Sequence, residues 1–231
     1  MSNTRFDTIL LDADETIFDF LQAEKISLLD TAEKFGISAT DSDAKKYSEI
    51  NLSLWKKLEL GAVSREELKV LRFKEWFDYM GVENICADDF CKHYEQKLGN
   101  TGILLDGALD FVQKLSMHCN VYIVTNGTAV CQEGRMKNSP VREYIKGMYI
   151  SEKIGFSKPD KRYFDYVFKD IGITDFSRVI IVGDSLSSDM QGGKNAGIAT
   201  CLYLRNEDNP RSDLCDYAIS EYSAFWDILF N

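Results

Sequence analysis

The sequence predicts an α/β fold in which a doubly wound parallel sheet carries an inserted helical unit, and three observations lead there. Residues 121–125 (VYIVT) and 179–183 (VIIVG) are β-branched runs, apolar on both faces. Such runs suit strands covered by helices above and below, not a sheet with one face in water. Helical patterns at 106–117, 161–171 and 187–196 separate the strand candidates, giving the strand–helix alternation whose crossovers are right-handed. One stretch, 20–98, breaks the alternation with four helical segments and no convincing strand.

Along the chain, Thr8-Ile-Leu-Leu11 opens as a short apolar strand that ends in acidic residues. The four helical segments then run over 20–35, 41–58, 64–80 and 87–98, divided by turn signals that include Gly36, Gly61 and Gly81. Ser64-Arg-Glu-Glu67 has the form of a capping box, in which Ser64 caps the helix and Glu67 reaches back to it. After the helix at 106–117 and the strand at 121–125 come a weaker strand at 147–151, the helix at 161–171 and the strongest strand at 179–183. The helix at 187–196 precedes two more weak strands, at 200–204 and 216–219. The expected division is therefore a sheet core of 1–17 and 101–231, with the helical insertion over 18–100. No internal repeat or low-complexity tract interrupts this plan.

Composition narrows the function classes. With 27 Lys and Arg against 37 Asp and Glu, the 231-residue chain has a net charge of −10, which disfavours a nucleic-acid polymer as partner because backbone affinity rests on clustered cations. Its 45% hydrophobic content supports an extensive core and argues against global disorder. The first thirty residues carry Asp7, Asp12, Asp14 and Glu15 in place of a basic-then-apolar leader, and no apolar run approaches the roughly 20 residues that span a bilayer. A cytoplasmic protein without a membrane partner is expected. Cys86, Cys91, Cys119, Cys131, Cys201 and Cys215 form no Cys-x-x-Cys pair, so they read as reduced structural residues. His93 and His118 lie in helical patterns without a neighbouring nucleophile or metal ligand.

The chemistry sits at strand ends. The opening strand runs into Asp12-Ala13-Asp14-Glu15-Thr16, and two carboxylates two residues apart at such an exit can approach one reacting group in different roles, one attacking and the other moving a proton. Thr125-Asn126-Gly127 follows the next clear strand, with a hydroxyl and an amide suited to phosphoryl oxygens. Lys158 stands before Pro159 at a helix start. Gly183-Asp184-Ser185-Leu-Ser-Ser-Asp189 follows the strongest strand with two further acids. Singly, each has a plainer reading: an acidic helix cap, an Asn-Gly turn, a surface lysine, a capped loop. Together they gain weight, because a parallel sheet brings the carboxyl ends of its strands to one edge. Four carboxylates converging there repel one another unless a cation neutralises them. With no His or Cys in any of the four segments, Mg2+ suits the donors better than zinc.

These motifs, spanning nearly the whole chain in order, resemble those of the haloacid dehalogenase-like hydrolase superfamily, specifically its phosphatases. Asp189-x-x-Gly192-x-x-x-Ala196-Gly197 fits as well, where small residues permit a close helix–sheet approach. The resemblance implies a Rossmann-like core with strand order 5-4-1-2-3 and a mobile helical cap. It also implies that Asp12 attacks phosphorus to form an aspartyl-phosphate, while Asp14 protonates the leaving oxygen and then helps activate water. Thr125, Asn126 and Lys158 would hold the phosphoryl oxygens. Asp12, the backbone carbonyl of Asp14 and Asp184 would coordinate Mg2+, supported by Asp189 and Ser185.

Asp14 decides within the superfamily, since halide leaves without protonation and a dehalogenase needs neither this second acid nor Mg2+. Phosphate-ester hydrolysis is the expected activity. Asp12-Ala-Asp-Glu-Thr16 followed by Ile17-Phe18, with an insertion of this size, looks like the bacterial pyrimidine 5'-nucleotidases, which makes a nucleoside monophosphate the expected substrate. Sugar phosphates, phosphoglycolate and pyridoxal phosphate stand as alternatives, as does a phosphomutase. From a different class, a phosphorylation-dependent signalling module also carries Asp, Thr and Lys beside Mg2+, but it is shorter and needs neither the insertion nor Asp14. Tyr47, Trp55, Trp76 and Tyr79 in the insertion can stack on a base or fill a helical core, and the sequence alone assigns none of them to substrate.

Overall fold

A computed structural model describes residues 4–205 and 212–231. In chain order, strand β1 (Thr8–Leu11) is followed by helices α1 (Phe20–Lys34), α2 (Asp41–Glu59), α3 (Arg65–Met80), α4 (Ala87–Asn100) and α5 (Ala108–Ser116). Then come β2 (Asn120–Thr125), α6 (Ala129–Asn138), β3 (Gly147–Ile150), α7 (Ser151–Ile154), α8 (Lys161–Ile171) and β4 (Val179–Gly183). The described chain finishes with α9 (Gln191–Ala196), β5 (Ala199–Tyr203), β6 (Tyr217–Ile219) and α10 (Phe225–Phe230). No described helix is long and apolar enough to cross a membrane.

The strands form one parallel sheet in the order β3-β2-β1-β4-β5-β6. This is the expected 5-4-1-2-3 arrangement with a sixth strand added beside β5. The pleat explains why the central strands are apolar throughout: Ile9 and Leu11 face one buried layer with Ile180 and Val182, while Leu10 faces the other with Val179 and Ile181. β1 lies between β2 and β4, so the order of winding reverses at its carboxyl end. Open α/β sheets place their ligand crevice at such a switch point.

Between β1 and α5 the chain leaves the sheet and returns beside itself. Asp19 N donates to Ile103 O at 2.9 Å and Leu105 N to Ile17 O at 2.9 Å, so outgoing and incoming segments are tied together. The helices α1 to α4 close over a separate aromatic core in which Tyr47 stacks on Phe73, with ring centres 5.4 Å apart, and Trp76 is fully buried. The Ser64 capping box forms: Ser64 N donates to Glu67 Oε2 at 2.8 Å and Glu67 N donates to Ser64 Oγ at 3.2 Å.

Two segments differ from the sequence pattern. The helix expected over 187–196 is a π-helical turn, Leu186–Met190, continued by α9. Ser185 O accepts from both Asp189 N and Met190 N at 3.1 Å, widening the turn and carrying Asp189 inward. The second segment is α6, whose sequence AVCQEGRMKN gives no clear apolar stripe because Gln132 and Arg135 are themselves buried. The small residues of the last motif do allow close packing, since a Cβ on Gly192 would lie 2.7 Å from the Phe164 ring.

Helices α4 and α6 cross through a pair of glycines. A Cβ on Gly134 would sit 2.6 Å from Gly99 O and 2.9 Å from Gly99 Cα, contacts that only backbone movement relieves. Gly134→Ala is therefore expected to destabilise the protein by about 1–3 kcal/mol in urea denaturation, whereas Lys137→Ala on the exposed face of α6 should stay within about 0.5 kcal/mol. An unchanged midpoint for Gly134→Ala would show that the two helices separate freely.

Candidate active site

Asp12 is the first residue beyond β1, and its N–H extends the sheet by donating to Val182 O at 2.9 Å. Its carboxylate meets a lysine that arrives from a loop 146 residues away. Lys158 Nζ donates to Asp12 Oδ1 at 2.6 Å, to Asp189 Oδ1 at 2.6 Å and to Val124 O at 2.8 Å, which uses all three ammonium protons. Lys158 and Asp189 are each 1% exposed and Asp12 is 7% exposed. The Asn126 amide clasps the lysine backbone, donating from Nδ2 to Lys158 O at 2.9 Å and accepting at Oδ1 from Lys158 N at 3.0 Å. Thr125 Oγ1, also buried, accepts from Gly127 N at 3.1 Å. Ser185 N donates to Asp189 Oδ2 at 3.2 Å.

Asp184 joins Asp12 and Asp189, and carboxylate oxygens of all three lie within 4.8 Å of one another. Burial pushes the Asp12 carboxyl up to about 7; Lys158 opposes the rise, while Asp189 and Asp14 add to it. Asp184, a cavity-lining residue, is held well above the carboxylate range first by burial and then by the charges of Asp12 and Asp189. With all three ionised, one ammonium faces three carboxylates and two negative charges are left uncompensated, a surplus that only protons or a cation relieve. An all-oxygen donor set with that surplus fits a hard divalent cation such as Mg2+.

Asp14 points to a different part of the site. Its Oδ2 accepts from Gln132 Nε2 at 2.8 Å, and its Oδ1 lies 2.6 Å from Arg135 Nη1, an ionic contact without hydrogen-bond alignment. Arg135 is buried, with its guanidinium 5.3 Å from the Phe18 ring centre and 5.8 Å from that of Phe20. Neither Gln132 nor Arg135 follows from the sequence pattern, since both lie on α6. The detectable signal is two long polar residues three apart, just downstream of Thr125-Asn126-Gly127.

A cavity of about 310 Å3 joins these groups to the helical unit. That volume lies at the lower end of the roughly 300–1,000 Å3 common for small-ligand sites. Asp12, Asp14, Thr125, Lys158 and Asp184 line its floor at the strand ends, while Phe20, Glu24, Asn51 and Trp55 line it from helices α1 and α2. Among the four aromatics named from the sequence, Trp55 reaches the cavity, Tyr47 and Trp76 belong to the helical core, and Tyr79 is 49% exposed. Glu24 is buried, accepts from Asn51 Nδ2 at 2.8 Å, and is pushed up to about 7 by burial, against the lowering effect of its hydrogen bonds and of Arg72. Arg65 reaches from α3 to the sheet, donating to Asn126 O and to Ser151 Oγ, each at 2.8 Å.

Comparison with known proteins gives the same picture. A profile of the haloacid dehalogenase-like hydrolases matches residues 9–203. The pyrimidine 5'-nucleotidase YjjG of Escherichia coli is 32% identical over 219 residues, covering 94% of this chain and 94% of its own. The pyrimidine 5'-nucleotidase PynA of Streptococcus pneumoniae is 33% identical over 223 residues, covering 96% of this chain and 94% of its own. The magnesium-bound crystal structure of the HAD-hydrolase YfnB from Bacillus subtilis superposes with a TM-score of 0.91 at 33% identity, covering 98% of this chain and 99% of that one.

The raised Glu24 carboxyl has a measurable consequence. Because the folded state favours the neutral form, its stabilising effect is complete below the ordinary value of 4.5 and is lost as pH rises to about 7. Across that interval the stability difference between Glu24→Gln and the parent protein should shift toward the variant by up to about 3 kcal/mol. Urea denaturation at stepped pH measures it, and a pH-independent difference would mean that the Glu24 charge is fully compensated in the fold.

Proposed function

The chain belongs to the haloacid dehalogenase-like hydrolases and is an enzyme of their phosphatase branch, and we propose that it hydrolyses pyrimidine nucleoside monophosphates with Mg2+ through a phosphorylated Asp12. The buried contact of Lys158 with both Asp12 and Asp189 carries this reading, because it gathers residues from three distant motifs around one carboxylate. In the first step an Asp12 carboxylate oxygen bonds to phosphorus as the ester oxygen departs with a proton from Asp14. In the second, water attacks that phosphorus and gives its proton to Asp14, which restores free Asp12 and releases inorganic phosphate.

Thr125 and the Asn126 main chain hold the phosphoryl oxygens and Lys158 sets its positive charge beside them, while the Asn126 side chain keeps Lys158 in place. Gln132 and Arg135 orient Asp14. Asp12, the backbone carbonyl of Asp14 and Asp184 would hold Mg2+, with Asp189 and Ser185 in support; the ion supplies positive charge that lets an anionic ester approach the acidic cluster. Residues 18–100 act as a cap that encloses the substrate, and the protein works in the cytoplasm on small phosphorylated metabolites. The pyrimidine preference rests on the likeness to YjjG and PynA.

Purified protein should release phosphate over many turnovers with Mg2+ and stop on chelation; a single stoichiometric phosphorylation would favour a signalling module. Asp12→Asn should lower kcat by at least about a thousandfold and abolish covalent phosphorylation. Asp14→Asn should impair UMP, a poor leaving group, more than an activated aryl phosphate, and equal losses would remove Asp14 as the acid. On a substrate panel, kcat/KM should be higher for UMP and dTMP than for sugar phosphates. The reverse order would overturn the nucleotide assignment.

A further inference from the structure

On α2, residues 48, 51, 52 and 55 recur at helical spacing, and all four line the cavity. Leu52 and Trp55 make this wall apolar, whereas Asn51 brings one buried amide to it. Asn51 is 2% exposed; its Nδ2 donates to Glu24 Oε1, while its Oδ1 is buried without a hydrogen-bond partner among the described residues. A buried amide oxygen is seldom left unpaired, and the cavity that Asn51 lines is a place from which a ligand can supply the missing partner.

Chemistry fixes which way this amide faces. An ionised Glu24 only accepts, so Asn51 must turn NH2 and not oxygen toward it. One N–H then serves Glu24, and the second N–H remains beside the free Oδ1. That acceptor–donor pair complements a ring N–H adjacent to a carbonyl. Uracil and thymine present this edge at N3–H and its flanking carbonyls. Cytosine offers its donor–acceptor pair one ring position away, at the exocyclic amine and N3, so a cytosine held in the same place by its sugar and phosphate sets the N3 acceptor against Oδ1. The phosphate-binding groups line the same cavity, so one ligand carrying both a phosphate and a base can meet both.

We propose that Asn51, its amide oriented by Glu24, reads the base and selects the imide edge of uracil or thymine over cytosine. This specificity rests on the nucleotide reading given above. Asn51 contacts the ligand; Glu24 is a positioning residue that acts through it.

The test compares kcat/KM for UMP, dTMP, CMP and ribose 5-phosphate at pH 8, above the value of about 7 to which burial pushes Glu24. The parent enzyme should prefer UMP to CMP by about tenfold or more, since the mismatched edge leaves buried polar groups unpaired. Asn51→Ala should bring the UMP:CMP ratio near one and reduce the preference for UMP over ribose 5-phosphate by a similar factor. Glu24→Gln should raise CMP relative to UMP, because a glutamine both donates and accepts and lets the amide turn over. An unchanged UMP:CMP ratio in both variants would overturn the proposal, as would an equal loss in Asn51→Ala on all four substrates, which would mark the residue as structural. If the parent enzyme prefers ribose 5-phosphate to every nucleotide, the nucleotide reading itself fails and the base site falls with it.

Discussion

A lysine ammonium buried between two aspartates governs the arrangement of this site. Removing a charge as large as an ammonium from water costs several kcal/mol, and the cost is met only when geometry and hydrogen bonding are close to complete. Lys158 meets that condition with two carboxylates and a backbone carbonyl. Those partners come from the end of β1, the end of β2 and the π-helical turn after β4. The sheet order makes the meeting possible, since β2 and β4 flank β1 and their carboxyl ends open to the same side. The local oddities follow from the same demand. The turn after β4 widens so that Asp189 reaches Lys158, Gly183 has no room for a Cβ beside the Asp189 carboxyl, and the Asn126 side chain is used on the lysine backbone.

The electrostatics then dictate what the pocket can accept. Lys158 offsets one of three negative charges at the floor, and burial together with the remaining charge raises the proton affinities of Asp12 and Asp184. An anionic ester meets repulsion there, worth roughly 4 kcal/mol per like pair at about 4 Å and an effective dielectric near 20. A divalent cation removes that repulsion, whereas the net charge of −10 offers no long-range attraction for phosphate. The positive charge that matters is therefore local.

Sequence made the sheet and floor legible because both depend on short-range pattern. β1, β2 and β4 are apolar on both faces, and Asp12, Thr125, Asn126, Asp184 and Asp189 sit at or just after their ends. Lys158 is different, since nothing local distinguishes it from a surface lysine; only the company of the other motifs does. The side walls were harder to read because their important residues are polar and buried. Gln132, Arg135, Glu24 and Asn51 resemble the solvated faces of their helices, and their burial depends on neighbours distant in sequence. Aromatic residues mislead in the opposite direction, as Tyr47 and Trp76 fill the helical core while Trp55 reaches the cavity.

The helical unit carries more buried charge than its fold requires. Arg72 contacts Glu95 at 3.2 Å inside the helices, and Glu24 lies nearby with an amide as its hydrogen-bonded partner. Buried ion pairs are commonly no more stabilising than apolar residues of the same shape, so packing alone gives little reason to keep them. Their position gives a better one: Arg72, Glu24 and Asn51 all line the cavity that ends at Asp12. The same unit is fastened to the sheet through Arg65, which grips the Asn126 carbonyl, and through Lys69, 2.6 Å from Glu152. Asn126 in turn holds Lys158. The docking of the helices and the placement of the central ammonium thus share one chain of contacts, so whatever shifts the helical unit against the sheet also bears on Lys158.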